Sequence, residues 1–159
     1  MTPTLRLTLG PQAAQLHDVQ TGALVVQIEA GYEAMRSRHF GRPRLDAGAL
    51  ERAVEWTEDR IQAAHAAIPV GARLCTSEID VRLIARAAGL SADAPLLHVE
   101  AVEQTFSRLV LQAFGQSPHQ EDLPDEPRVF ATVVLLREML HHLRFGQIQI
   151  EAEPGRAPA

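Results

Sequence analysis

The sequence predicts one α/β domain, a sheet with helices packed on its faces. Three observations lead there. Residues 4–29 hold three short β-prone runs separated by glycine-bearing turns, Gly10-Pro11-Gln12 and Gln20-Thr21-Gly22. Beyond them, amphipathic helical stretches alternate with short strands up to residue 151. The chain has 159 residues, enough for one sizeable core and too few for two comfortable ones.

The first run alternates, with Leu5, Leu7 and Leu9 on one side and Arg6 and Thr8 on the other, the period of a half-buried strand. The third, Leu24-Val25-Val26-Gln27-Ile28, is nearly continuous apolar and is expected at the centre of its sheet. Turns this short make the three strands neighbours in an antiparallel meander. A short helix follows over 30–40, anchored by Tyr32, Met35 and Phe40. Asp46 is an N-cap for the next helix, whose stripe is Leu50, Val54, Thr57, Ile61, Ala64 and Ile68. Arg52 and Arg60 can pair with acids at helical spacing. Pro69 and Gly71 end this helix.

Residues 72–75 form a strand, and Thr76-Ser77 cap a helix that stops at Gly89. Helices are expected over 95–114 and 129–144, the second closed by Gly146. Between them lies a polar loop with Glu121, Asp122, Asp125 and Glu126, a solvated connector or a weak cation site. Gln147-Ile148-Gln149-Ile150-Glu151 alternates as the last strand, and 152–159 reads as a flexible tail.

Composition narrows function. The net charge is −5 and every basic side chain is arginine, with no lysine at all. No lysine means no Gly-x-x-x-x-Gly-Lys phosphate loop. A polyanion is repelled on average, so neither nucleic acid nor a membrane surface is an expected partner. No run approaches the roughly 20 apolar residues of a membrane span, and no secretory signal is visible. Cys75 is the single cysteine, which fits a reducing compartment. It is expected at a strand-to-helix junction, buried and structural. The one basic cluster, Arg36, Arg38, His39, Arg42 and Arg44, reads as a solvated helix end, or as a site for an anion or acidic partner. Trp56 reads as packing or an interface edge. Glu138 and His141 stand three residues apart, a spacing found in di-metal bundles. The second copy such a site needs is missing, so no metal is expected there, and His141-His142 reads as helix surface.

Element order and particular residues together bring a family into view. The chain resembles the second domain of the exopolyphosphatase and guanosine pentaphosphate phosphohydrolase family, within the actin, sugar-kinase and heat-shock chaperone superfamily. The likeness lies in Leu7-Thr8-Leu9-Gly10-Pro11-Gln12-Ala13-Ala14-Gln15-Leu16, in Leu83-Ile84-Ala85-Arg86-Ala87-Ala88-Gly89-Leu90, and in 128–150. It covers most of residues 4–151 and implies a single actin-like (ribonuclease H-like) domain in a bacterial cytoplasmic protein.

The departures fall on the phosphate loops. The family's loop aspartate becomes Thr8, a weaker cation ligand. Two loop glycines become Pro11 and Gln12, and Pro11 has no N–H to offer a phosphate. The acid at the loop's end becomes Gln15. In the second loop, Ser77, Glu78 and Ile79 stand near the Gly-Gly-Thr positions, and Glu78 would repel phosphate. The family's first domain has no counterpart in these residues.

The resemblance therefore implies a non-catalytic binding or assembly module, with a homo-oligomer or a separate subunit as partner. The alternative is a phosphoanhydride hydrolase or a polyphosphate- or nucleotide-binding subunit completed by another chain. No catalytic residue is assigned. Thr8, Gly10, Gln12, Arg73, Thr76 and Ser77 are candidate ligand-binding positions, with Arg6 and Arg73 the cations nearest the Gly10 turn in sequence. No cofactor is expected, and Mg²⁺ only with a residual phosphate site.

Overall fold

The computed structural model describes residues 1–42, 44–116 and 123–152. The meander forms as expected. β1 (Thr4–Leu9) pairs antiparallel with β2 (Ala14–Asp18), which pairs antiparallel with β3 (Leu24–Ile28). Two helices follow, α1 (Tyr32–His39) and α2 (Ala47–Gln62). The Asp46 carboxylate caps α2 by accepting from the Ala49 amide at 2.8 Å. β4 (Arg73–Thr76) then runs parallel to β1. Next come α3 (Ile79–Ala87), β5 (Leu96–His98), α4 (Val99–Ala113), α5 (Pro127–His142) and β6 (Gln147–Ile150). The six-stranded sheet has the order β3-β2-β1-β4-β6-β5, with β4 and β6 parallel.

One face of this sheet carries the core. Leu5, Leu7, Leu16, Leu97 and Ile148 are almost completely buried on it. Their in-between neighbours Arg6, Thr8, Gln27, Gln147 and Gln149 are exposed on the other face. α5 is the central helix. It is buried on nearly every side and packs against α1, α2, α3 and α4. A helix apolar all round belongs inside a layered domain, and α5 is that helix here. No described helix is long and apolar enough to cross a membrane.

Four expectations need correction. β3 is an edge strand rather than a central one, and Leu24 on it is half exposed. Its apolar run comes from the meander's outermost position, where Val25 and Val26 are only partly covered. The stretch expected to be helical from Pro95 opens instead with β5, paired antiparallel to β6. Three residues joined directly to a helix leave no separate strand pattern. α2 stops at Gln62, and a 3₁₀ turn at His65–Ala67 completes the segment. α5 stops at His142, short of the expected 144, and Arg144 rather than Gly146 takes the left-handed conformation that closes it, with φ 61°. Residues 117–122 of the acidic loop and 153–159 of the tail lie outside the described residues.

Candidate functional site

In open α/β sheets, ligands sit beyond the carboxyl ends of parallel strands. Here those ends are Leu9-Gly10 after β1, Thr76-Ser77 after β4 and Ile150-Glu151 after β6. The backbone donors of the β1 turn and of the start of α1 are already engaged. The Leu9 amide donates to Glu78 Oε1 at 2.9 Å. The Gly10 amide donates to the Ala13 carbonyl at 2.9 Å. The first amides of α1, the natural cradle for an anion at a helix N-terminus, also find internal partners. Tyr32 donates to the Gly10 carbonyl at 3.3 Å, and Glu33 and Ala34 both donate to the Pro11 carbonyl at 3.0 Å. The turn thus plugs the helix end with its own carbonyl oxygens. Gly31 makes this possible, because a Cβ there would lie 2.5 Å from Gln12 C and closer still to Pro11 C and O.

The candidate positions scatter around this edge. Thr76 is fully buried; its hydroxyl donates to the Leu7 carbonyl at 3.0 Å and accepts from the Glu78 amide at 3.1 Å. Ser77 is half-buried beside it and Gln12 is exposed on the turn. α3 starts at Glu78 without a side-chain cap, so Thr76-Ser77 do not cap it as expected. Thr8 faces the open side of the sheet opposite Gln15. Gly10 is required by close approach, not by φ: a Cβ there would stand 2.8 Å from the Ala13 carbonyl oxygen.

The two cations singled out are not at the turn. Arg73 is the first residue of β4, beside Thr4 at the start of β1. A six-residue strand puts it about 20 Å from Gly10. Arg6 faces the open side and pairs with Glu151 at 3.0 Å.

The cations that do reach this edge are Arg128 and Arg82, and local sequence offered no sign of either. Arg128 at the start of α5 bonds Asp80 at 2.8 Å and lies over the Tyr32 ring, 4.1 Å from its centre. Arg82 donates to the Ala92 carbonyl at 2.8 Å and the Glu151 carbonyl at 3.0 Å. Arg82 is committed to two carbonyl acceptors, and Arg128 to one carboxylate through Nε alone.

Cys75 lies inside β4, one residue before its end, rather than at the junction with α3. It is 1% exposed beside Arg6 and Glu151. Burial, then the Glu151 charge, push its thiol pKa up against the opposing pull of Arg6. The thiolate is the reactive form. A disulfide reagent at pH 8 is therefore expected to react with the folded protein on the order of 100-fold more slowly than with the urea-unfolded chain. Arg6→Ala removes the pull that favours the thiolate and should widen that gap in stopped-flow absorbance.

Elsewhere the basic cluster wraps the only tryptophan. Arg60 lies 4.0 Å and Arg38 5.7 Å from the Trp56 ring centre. Arg60 donates to the Trp56 carbonyl, and neither it nor Arg52 forms an ion pair among the described residues, contrary to expectation. His39 packs edge-on against Trp56, and its pKa is lowered by burial first, then by Arg38, Arg52 and Arg60. An apolar groove of about 720 Å³ between α2 and α4 shares no residue with the strand-end loops.

The sequence matches no family model and no curated protein. Solved structures do match. The type II variant of the Aquifex aeolicus Ppx/GppA phosphatase aligns at 11% identity and TM-score 0.70, over 95% of this chain and 53% of that one. Another structure of the Aquifex aeolicus member of that family gives 11% identity and TM-score 0.65, over 94% and 52%. An exopolyphosphatase-like protein gives 18% identity and TM-score 0.64, over 89% and 50%. The chain spans about half the length of these structures, and over that half its fold is that of the Ppx/GppA phosphatases.

Proposed function

We propose that this chain is a non-catalytic exopolyphosphatase-like module, equivalent to the second domain of those enzymes, that works by binding or assembly. The carrying observation is the satisfied turn after β1 and the plugged start of α1. Glu78 holds the Leu9 amide, and the Gly10 and Pro11 carbonyls hold the first amides of α1. A phosphate entering here would have to displace a carboxylate and two carbonyls, each already hydrogen-bonded, and would find the Arg82 guanidinium already held by two carbonyls. Losing good hydrogen bonds without reproducing them costs affinity. The partner is a second copy or a separate subunit. The exposed outer edge of β3, with its unpaired backbone groups, offers a place for it.

A second reading draws on the half-length coverage: a phosphoanhydride hydrolase or polyphosphate- or nucleotide-binding subunit completed by another chain, with Mg²⁺ at the shared cleft. Calorimetric titration with tripolyphosphate and with ADP, both with Mg²⁺, separates the two. We expect no saturable heat from either ligand, and a dimer or hetero-complex mass by light scattering. Saturable binding that weakens at least tenfold in Arg128→Ala would favour the second reading, since that arginine reaches this edge with only Nε engaged.

A further inference from the structure

Three metal-ligating side chains converge away from the strand-end loops. Glu58 comes from α2. Glu138 and His142 come from α5, four residues apart and so on one helix face. One ligand atom from each lies within 4.8 Å of the other two. His142 Nε2 stands 3.0 Å from Glu138 Oε2 and 3.7 Å from Glu58 Oε1. Ligand atoms about 2.0–2.1 Å from a tetrahedral ion are about 3.4 Å apart. The two observed separations bracket that value.

Charge gives a second, independent indication. Glu138 is 2% exposed. Its neighbour Arg137 reaches it with Nη1 but also gives Nε to Glu103, at 3.1 and 3.2 Å from the two oxygens. Glu58 has only the neutral Gln62 amide, at 3.2 Å. Two carboxylates thus share one guanidinium, Glu58 has none, and Glu138 is buried, where a charge short of compensation is costly. Hydrogen bonding by His142 does not repair this. Its Nε2 faces two carboxylates and has at most one N–H to give. A cation in place of that proton would bond both carboxylates and the nitrogen lone pair together.

We propose that Glu58, Glu138 and His142 bind a divalent transition ion of the Zn²⁺ class that ties α2 to α5. An imidazole among the ligands selects this class over Mg²⁺ or Ca²⁺, which favour all-oxygen sets. Three protein ligands leave a fourth position for water. Partial exposure of Glu58 and His142 gives the ion a way in. The Arg137 contact to the other Glu138 oxygen would orient that ligand from behind.

The test is Zn²⁺ titration of EDTA-treated, dialysed protein, read by calorimetry and thermal melting. We expect one equivalent bound, and a Tm rise of about 5–10 °C at a hundredfold excess over Kd. Glu58→Gln keeps the Glu138–His142 contact and should fold normally, yet lose the Zn²⁺-dependent rise. His142→Ala should lose it too. Co²⁺ should give the visible absorption of a tetrahedral site in the wild type and not in either variant. An unchanged wild-type Tm overturns the proposal, because the cluster is then an ion pair alone. So does a rise that persists in both variants, which would place the metal on the other histidines.

Discussion

Gly31→Ala is expected to destabilise the protein by about 3 kcal/mol, near the upper end for overpacking. The cause is steric. Gly31 has φ −108°, ordinary for any residue, so its conformation carries no penalty of its own. Its Cβ would instead collide with backbone atoms of Pro11 and Gln12, which have no rotamer to retreat into. Either α1 or the Gly10–Gln12 turn must move, and the Tyr32, Glu33 and Ala34 hydrogen bonds to the turn must break with it. For a chain of this size, Tm should fall by roughly 6–12 °C. Gly22→Ala is the control. Gly22 has φ 71° with open space around it, so alanine there meets strain without collision and should cost only about 1 kcal/mol. Urea unfolding of both variants compares the two costs. Hydrogen exchange at Tyr32, Glu33 and Ala34 should accelerate in Gly31→Ala alone. Equal losses would mean that the turn yields easily, and the self-plugged edge would no longer argue against phosphate binding.

The meander was legible because period two and two glycine turns are local signals, and Leu5, Leu7 and Leu9 lie on the buried face they pointed to. The fold likeness was legible because element order survives when loop chemistry does not. The errors came from tertiary context. An apolar run such as Leu24-Val25-Val26 does not say whether it has one neighbouring strand or two. The site was less legible still. Gly31 matters through Pro11, twenty positions earlier. Arg128 reaches Tyr32 and Asp80 only because α5 crosses beside α1 and α3. Spacing within α5 pointed from Glu138 to His141, which is exposed, whereas the fold joins Glu138 to His142 and to Glu58 on another helix. In the sequence Glu78 is only a charge that would repel phosphate. Its further role, accepting from the Leu9 amide across two strand ends, follows from the parallel pairing of β1 and β4.

Arg137→Leu should be about as damaging as Gly31→Ala, through charge rather than shape. Among the described residues this guanidinium is the one arginine paired with both Glu103 and the buried Glu138, and it also lies 4.3 Å from the Phe106 ring centre. Removing one partner of a buried pair typically costs about 3–5 kcal/mol, because the other charge stays behind. His142 remains 3.0 Å from Glu138 and a quarter of the Arg137 side chain meets solvent, so the lower figure of about 3 kcal/mol applies here. If desolvated charge is the cause, deleting both partners should hurt less than deleting one. Arg137→Leu/Glu138→Leu is accordingly expected to recover most of the loss in urea titrations, since apolar side chains of similar volume often replace buried pairs at little cost. The same reasoning makes the single variant a sensitive probe of the α2–α5 cluster. With its arginine gone, Glu138 is left with a buried charge that a bound cation can neutralise, so Zn²⁺ should stabilise Arg137→Leu more than it stabilises the wild type. A loss below about 1 kcal/mol in the single variant would put the pair in the class of solvent-screened surface contacts, and would remove the charge argument for a cation between the two helices.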